Sequence, residues 1–211
     1  MTEEAVRGWY ESLLKILTGR LIRKDHIFNM DETGTALEDC GNQRVVGSAA
    51  SNRTLVTRPD EREWATSIEC ISATGRTIKP LLIFKGKHVQ QQWFIPTDLP
   101  DWLYTSSPNA FTSNEIGLLW LKEVFVPETA DCVGWKLLIM DGHKSHCTDE
   151  FMRVAWLNKI HCFYLIPHSS HIFQPLDLTV FSSLKRQFRT LVATHYQVGN
   201  LEPVKKNLFI Q

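Results

Sequence analysis

Hydrophobic positions recur at helical spacing between residues 3 and 19, where Val6, Trp9, Tyr10, Leu13, Leu14 and Leu17 share a face and Gly19 supplies a stop. From His26 to Asp31 the pattern changes to a short strand, HIFNMD, which the following ETG is expected to break. Residues 32–60 are rich in Gly, Asn, Arg and Thr without a clear period and read as largely loop. Glu63 to Ala73 and Ile78 to Phe84 are β-compatible runs joined by Thr74-Gly75-Arg76, which predicts a hairpin. Gln90 to Phe111, with Trp93, Trp102 and several prolines, reads as an ordered loop.

The second half alternates between the two periods. Thr112-Ser113-Asn114-Glu115 has capping-box spacing, and Ile116, Leu119, Trp120, Val124 and Phe125 then mark one face of a helix reaching Pro127. Trp135 to Met140 is a nearly continuous apolar run bounded by Gly134 and Asp141, the pattern of a strand covered on both faces. Thr148 to Lys159 reads as helix, Cys162 to Ile166 as a buried strand and Pro175 to about Thr194 as a long helix. The order strand, hairpin, helix, strand, helix, strand, helix predicts an α/β domain with a mixed central sheet flanked by helices. The expected boundaries are a lead-in helix over 1–25, one domain over 26–198 and a tail over 199–211 whose apolar end suggests an element cut short.

Composition narrows the classes of function. A chain of 211 residues that is 43% hydrophobic and 22% charged can bury one core. The 23 Lys+Arg balance the 23 Asp+Glu, so any contact with nucleic acid must come from a local patch. Five irregularly spaced cysteines and an N-terminal segment without signal-peptide features predict a reduced, intracellular chain. No stretch approaches the roughly 18 consecutive apolar residues of a membrane span, so no membrane partner is expected.

Three acids stand out by position. Asp31 and Asp141 close strand-like runs, and ligands of α/β sheets bind at the carboxyl ends of strands. On those two alone, capping of the next loop explains them equally well. Asp177 follows Pro175 at a helix start, where the macrodipole favours negative charge. A projection at about 100° per residue puts it near the middle of the stripe formed by Leu176, Val180, Phe181, Leu184, Phe188, Leu191 and Val192. An inward carboxylate is costly unless paired, neutralised or bound to metal. Converging carboxylates repel, and hard divalent cations, which prefer oxygen ligands, reverse that balance.

The motifs around these acids resemble the DDE superfamily endonuclease domain of pogo and Tigger-type transposases, a family related to centromere protein B and abundant in fungal genomes. NMDETG at 29–34 looks like the family's first-aspartate motif, LLIMDGHKSH at 137–146 its second and PHSSHIFQPLDLTVFSSLKRQFR at 167–189 its third. TRPDEREWATSIECISATGRTIKPLLIFKG and FTSNEIGLLWLKEVFVPET are also similar, so the resemblance covers nearly the whole chain. It implies an RNase H-like fold and metal-dependent DNA cleavage and strand transfer, with Mg²⁺ or Mn²⁺ as cofactor and DNA as partner. It also implies a nuclear location and admits a homodimer. Asp31, Asp141 and Asp177 would be the catalytic, metal-binding triad, with His143, His146 and His171 orienting those carboxylates or contacting phosphate. The family's N-terminal helix-turn-helix domains do not precede Asp31, so strong readout of terminal repeats is not expected. The C-terminal end is expected to stop before the family's last helices. The alternative is a domesticated, non-enzymatic nucleic-acid-binding or dimerisation module.

Other chemistry is weaker. His143 with His146 and His168 with His171 form two H-x-x-H pairs near Cys147, His161 and Cys162, which would suit zinc, but no C-x-x-C accompanies them. Glu32 alternates to the side opposite Asp31 and reads as structural. Trp93, Phe94 and Trp102 are expected to pin down the long loop rather than stack on bases. Lys185, Arg186, Arg189, Lys205 and Lys206 read as a solvated basic set with phosphate contact as the sharper option.

Overall fold

The computed structural model describes residues 2–37, 63–94, 100–143, 147–197 and 204–210. Helix α1 (Glu3–Gly19) is capped by Thr2, whose side chain accepts the Ala5 N–H, and Glu3 and Glu4 suit its positive end. Strand β1 (Ile27–Ala36) leads into the hairpin of β2 (Trp64–Ser72) and β3 (Thr77–Lys85). Gly75 closes that hairpin at φ +90°, a backbone conformation that favours glycine. Strand β4 (Leu103–Ser107) follows, then α2 (Asn114–Trp120), a π-helical turn (Leu121–Phe125) and α3 (Val126–Glu128) in one continuous run. The cap of α2 is Ser113, which accepts the Ile116 N–H. Strand β5 (Lys136–Met140), α4 (Asp149–Leu157) and β6 (Ile160–Tyr164) complete the α/β portion. Short α5 (Ser170–Phe173), a second π-helical turn (Leu176–Val180), α6 (Phe181–Gln197) and α7 (Lys206–Ile210) close the chain.

The six strands form one mixed sheet in the order β4-β3-β2-β1-β5-β6. β1, β2 and β3 are antiparallel neighbours, whereas β5 lies parallel to β1 and β6 parallel to β5. One face packs Phe28, Met30, Ile68 and Leu138 against Trp120, Phe125 and Phe151 from the helices, all fully buried. Each such side chain contributes about 1.5–3 kcal/mol of burial free energy. The opposite face has a smaller apolar cluster, in which Leu37, Ala65, Leu82 and Phe84 meet Trp93 and Ile210. The mixed sheet with flanking helices is the architecture that the alternating pattern predicts.

Two local expectations, the end of β1 and the loop between Gln90 and Phe111, are corrected. β1 does not end at Asp31: it runs through ETG to Ala36 because β2 pairs with it from Phe28 to Ala36. Cross-strand hydrogen bonds outweigh the local turn signal, and the rest of the loop expected over 32–60 falls largely outside the described residues. The segment expected as loop between Gln90 and Phe111 contains β4, paired in parallel with β3 from Leu81 to Lys85. LYTSS has no hydrophobic alternation because it is a half-buried edge strand held by backbone pairing. The tail beyond 203 packs inward, with Val204 and Ile210 buried and Phe209 edge-on to Phe84 and Phe188. Its Lys206 donates to the Lys85 carbonyl and sits over the Trp93 ring, which makes this cation a packing element. Trp93 itself is buried and Phe94 packs on Tyr104, as expected of loop anchors, while Trp102 is exposed. Among the described residues no helix is long and apolar enough to cross a membrane.

Candidate active site

The site is built where β1 outruns its parallel neighbour. β1 and β5 pair through Asn29 and Ile139, and the same register carried two residues on sets Asp141, just past the end of β5, beside Asp31. Alternation along β1 puts Asn29, Asp31 and Thr33 on one face, opposite the face that carries Phe28 and Met30 into the main core. Glu32 therefore points the other way, and its Oε2 accepts the Thr112 hydroxyl at 2.5 Å, in line with a structural role.

Asp31 is half-buried. Its Oδ1 accepts the Glu32 backbone N–H at 2.8 Å, whereas Oδ2 is buried without a hydrogen-bond partner among the described residues. Burial pushes this carboxyl up to about 7; the Glu32 N–H and the nearby Gln174 amide pull it down, and the charges of Asp177 and Asp141 raise it further. Asp141 is half-buried too, and its Oδ1 accepts the His143 backbone N–H at 3.2 Å in a short turn that holds the strand end.

Asp177 departs from its expected environment. It is exposed, while Leu176 before it is fully buried. The face that packs inward lies to one side of the stripe's midline, with Leu176, Phe181 and Val192 buried. Leu184 and Leu191 of the same stripe are exposed as well. Asp177 lines an open cleft of about 660 Å³ with His168, Ser170, His171 and Leu178, and its charge reaches Asp31.

The three aspartates thus converge electrostatically, but among the described residues no three His, Cys, Asp or Glu side chains meet around one point at ligating range. An oxygen-only donor set with one orphaned buried oxygen fits a hard divalent cation such as Mg²⁺ or Mn²⁺ better than a soft one. His143 and His171 are exposed at the rim; His146 lies outside the described residues. Of the residues that would suit zinc, His161 sits at the start of β6, where burial and then Arg20 lower its pKa, and it lines a different cleft with Arg20 and Trp135.

Sequence reasoning missed three residues. Glu69 is the register partner of Asp31 on β2, and burial raises its carboxyl against the opposing hydrogen bond from the Ser67 hydroxyl. Acids placed directly opposite one another destabilise a bare sheet. The visible signal was an acid inside an otherwise β-compatible run, TSIECIS. Asn29 and Gln174 are buried polar residues hydrogen-bonded to each other at 2.8 Å across the site. Each lies within one of the quoted motifs, but their pairing joins positions far apart in the chain.

Residues 61–208 match the DDE superfamily endonuclease family. Among curated proteins, the "MFS-type transporter clz9" of Cochliobolus lunatus is 36% identical over 185 residues, covering 86% of this chain and 20% of that relative. The "Pogo transposable element with ZNF domain" of Homo sapiens is 24% identical over 123 residues, covering 58% of this chain and 8% of that relative. The chain therefore spans a fifth or less of the length of the curated relatives it matches. Among solved structures, the catalytic domain of Mos1 mariner transposase superposes with a TM-score of 0.53 at 10% identity, covering 99% of this chain and 87% of that one. The Mos1 mariner paired-end complex with Mn gives a TM-score of 0.58 at 11% identity, over 99% of this chain and 59% of that one. At these identities the likeness establishes the fold, which is the RNase H-like arrangement.

Proposed function

This chain belongs to the DDE superfamily of endonucleases, and from that membership we propose that it is a transposase catalytic domain that cleaves and joins DNA with Mg²⁺ or Mn²⁺ held by Asp31, Asp141 and Asp177. The observation that carries this reading is the orphaned, buried Oδ2 of Asp31, next to the register-matched Asp141 and within reach of the Asp177 charge. A buried carboxylate oxygen without a partner is costly in a folded protein, and cation ligation removes that cost.

When bound, one or two divalent cations would polarise the scissile phosphate and generate a nucleophile at neutral pH. The chain's own residues do the rest. Asp31 and Asp141 stand on neighbouring parallel strands, so their spacing is set by the sheet, while Asp177 enters from the π-helical turn that leads into α6. His143, next but one to Asp141, and His171, in the cleft with Asp177, would contact phosphate; His146 belongs to the same proposal by motif alone. Arg186 and Arg189 are exposed further along α6, and they supply the local basic patch that a chain of zero net charge needs for a polyanion. Relatives in the fold are solved as paired-end complexes, which supports DNA as the substrate, and the nucleus is the location proposed with it.

The purified chain is expected to convert supercoiled plasmid to nicked circle in Mg²⁺ or Mn²⁺ and to be inactive in EDTA. A folded chain that binds Mn²⁺ yet leaves plasmid intact would overturn the nuclease reading and leave the non-enzymatic alternative standing.

A further inference from the structure

Two buried amides connect every segment that carries an aspartate of the site. Asn29 is 6% exposed and Gln174 fully buried. The Asn29 Nδ2 donates to the Ile139 carbonyl at 3.0 Å and to the Gln174 Oε1 at 2.8 Å, while its Oδ1 accepts the Leu176 N–H at 3.2 Å. The Gln174 Nε2 donates to the Met30 carbonyl at 3.2 Å. Ile139 is two residues before Asp141, Leu176 one before Asp177 and Met30 one before Asp31. The hydrogen-bond partners of the pair therefore fix three backbone points, each next to or next but one to a different carboxylate.

The arrangement needs amides specifically. Asn29 uses both donor hydrogens and its acceptor, and Gln174 uses its carbonyl toward Asn29 and its NH₂ toward β1. A carboxylate at either place would lose the donations, and an apolar side chain would leave the Leu176 N–H or the Met30 and Ile139 carbonyls without those partners. The Leu176 N–H is the critical one. It lies in the first turn of the π-helical segment, where the backbone N–H groups have no partner within the helix, and Asn29 anchors that turn to the sheet.

We propose that the Asn29–Gln174 pair is the positioning device of the site, a buried amide clasp that sets the distances among Asp31, Asp141 and Asp177 for divalent-cation binding. The inference rests on the proposed metal-site reading and goes beyond it by assigning a role to residues that touch neither cation nor DNA. The two amides act through the backbone, and Gln174 also acts on the Asp31 carboxyl, whose ionised form its amide favours, so their loss loosens the site without removing a ligand.

The test is Mn²⁺ affinity, read by electron paramagnetic resonance or calorimetry, with the fold monitored by circular dichroism and chemical denaturation. Gln174→Met keeps the side-chain length and removes the hydrogen bonds. It is expected to weaken Mn²⁺ binding roughly 10–100-fold in protein that remains folded. Leu81→Ala, a core truncation away from the site, should lose stability and keep its Mn²⁺ affinity within about twofold, which separates positioning from general destabilisation. If Gln174→Met does not fold, Asn29→Ser removes the other half of the clasp with a smaller change in volume and should weaken Mn²⁺ binding in the same way. Wild-type affinity retained in a folded clasp variant would overturn the inference and leave the metal site standing. Wild-type protein that bound no Mn²⁺ would overturn the metal site and the clasp with it.

Discussion

Asp141→Asn is expected to lower Mg²⁺-dependent nicking of supercoiled DNA about 10³-fold without unfolding the chain. Asparagine keeps the size of the side chain and the Oδ1 that accepts the His143 N–H at 3.2 Å, so the turn after β5 survives. What is lost is one negative charge and the ligand it provides. Metal-ion stabilisation of a phosphoryl transition state contributes several kcal/mol, and about 4 kcal/mol corresponds to a thousandfold in rate. Glu32→Gln is the matched control, because Glu32 lies on the opposite face of β1 and hydrogen-bonds Thr112; its nicking rate should stay within a fewfold of wild type. Equal nicking by Asp141→Asn and wild type would remove Asp141 from the mechanism.

Asp31→Asn should stabilise the metal-free fold at pH 8 by about 2–4 kcal/mol and have little effect near pH 4. The sign follows from linkage. The Asp31 carboxyl is raised from 3.8 to about 7, first by burial and further by the charges of Asp177 and Asp141. Between those values the folded state holds a proton that the unfolded state has released, so stability falls as pH rises through that window. The contribution is fully present below about 4 and lost above about 7. Asparagine has no proton to lose, so this contribution is missing from the variant's pH dependence, and the gap between variant and wild type opens as pH rises. Added Mn²⁺ should close the gap from the wild-type side. Parallel pH–stability curves for the two proteins would contradict the burial of this carboxylate.

These expectations depend on features of unequal visibility in the sequence. Helix α1, the β2–β3 hairpin, β5 and α4 were legible because each carries one unbroken period and a local boundary signal such as Thr74-Gly75-Arg76 or Thr148. The acids at 31 and 141 were legible from their motifs, and their adjacency followed once β1 and β5 paired in register. For Asp177 the projection argument from the sequence fails, and its motif carries the proposal. A regular α-helical projection turns it inward, whereas the midline of that stripe, Leu184 and Leu191 included, is exposed and Asp177 lines an open cleft. The full length of β1, the strand β4 and the acid at 69 all depend on which strand lies alongside, and a turn signal such as ETG carries no information about that. The amides at 29 and 174 are the extreme case: their hydrogen bond joins chain positions 145 apart, and a lone Asn or Gln in a motif has no local signature of burial.

The most direct measurement of the central claim is the anomalous difference density of crystals soaked in Mn²⁺. A peak bounded by the Asp31, Asp141 and Asp177 side chains, about 2.0–2.3 Å from the Asp31 Oδ2, is the result the account predicts. A Mn²⁺ peak elsewhere, with all three carboxylates left unligated, would contradict it.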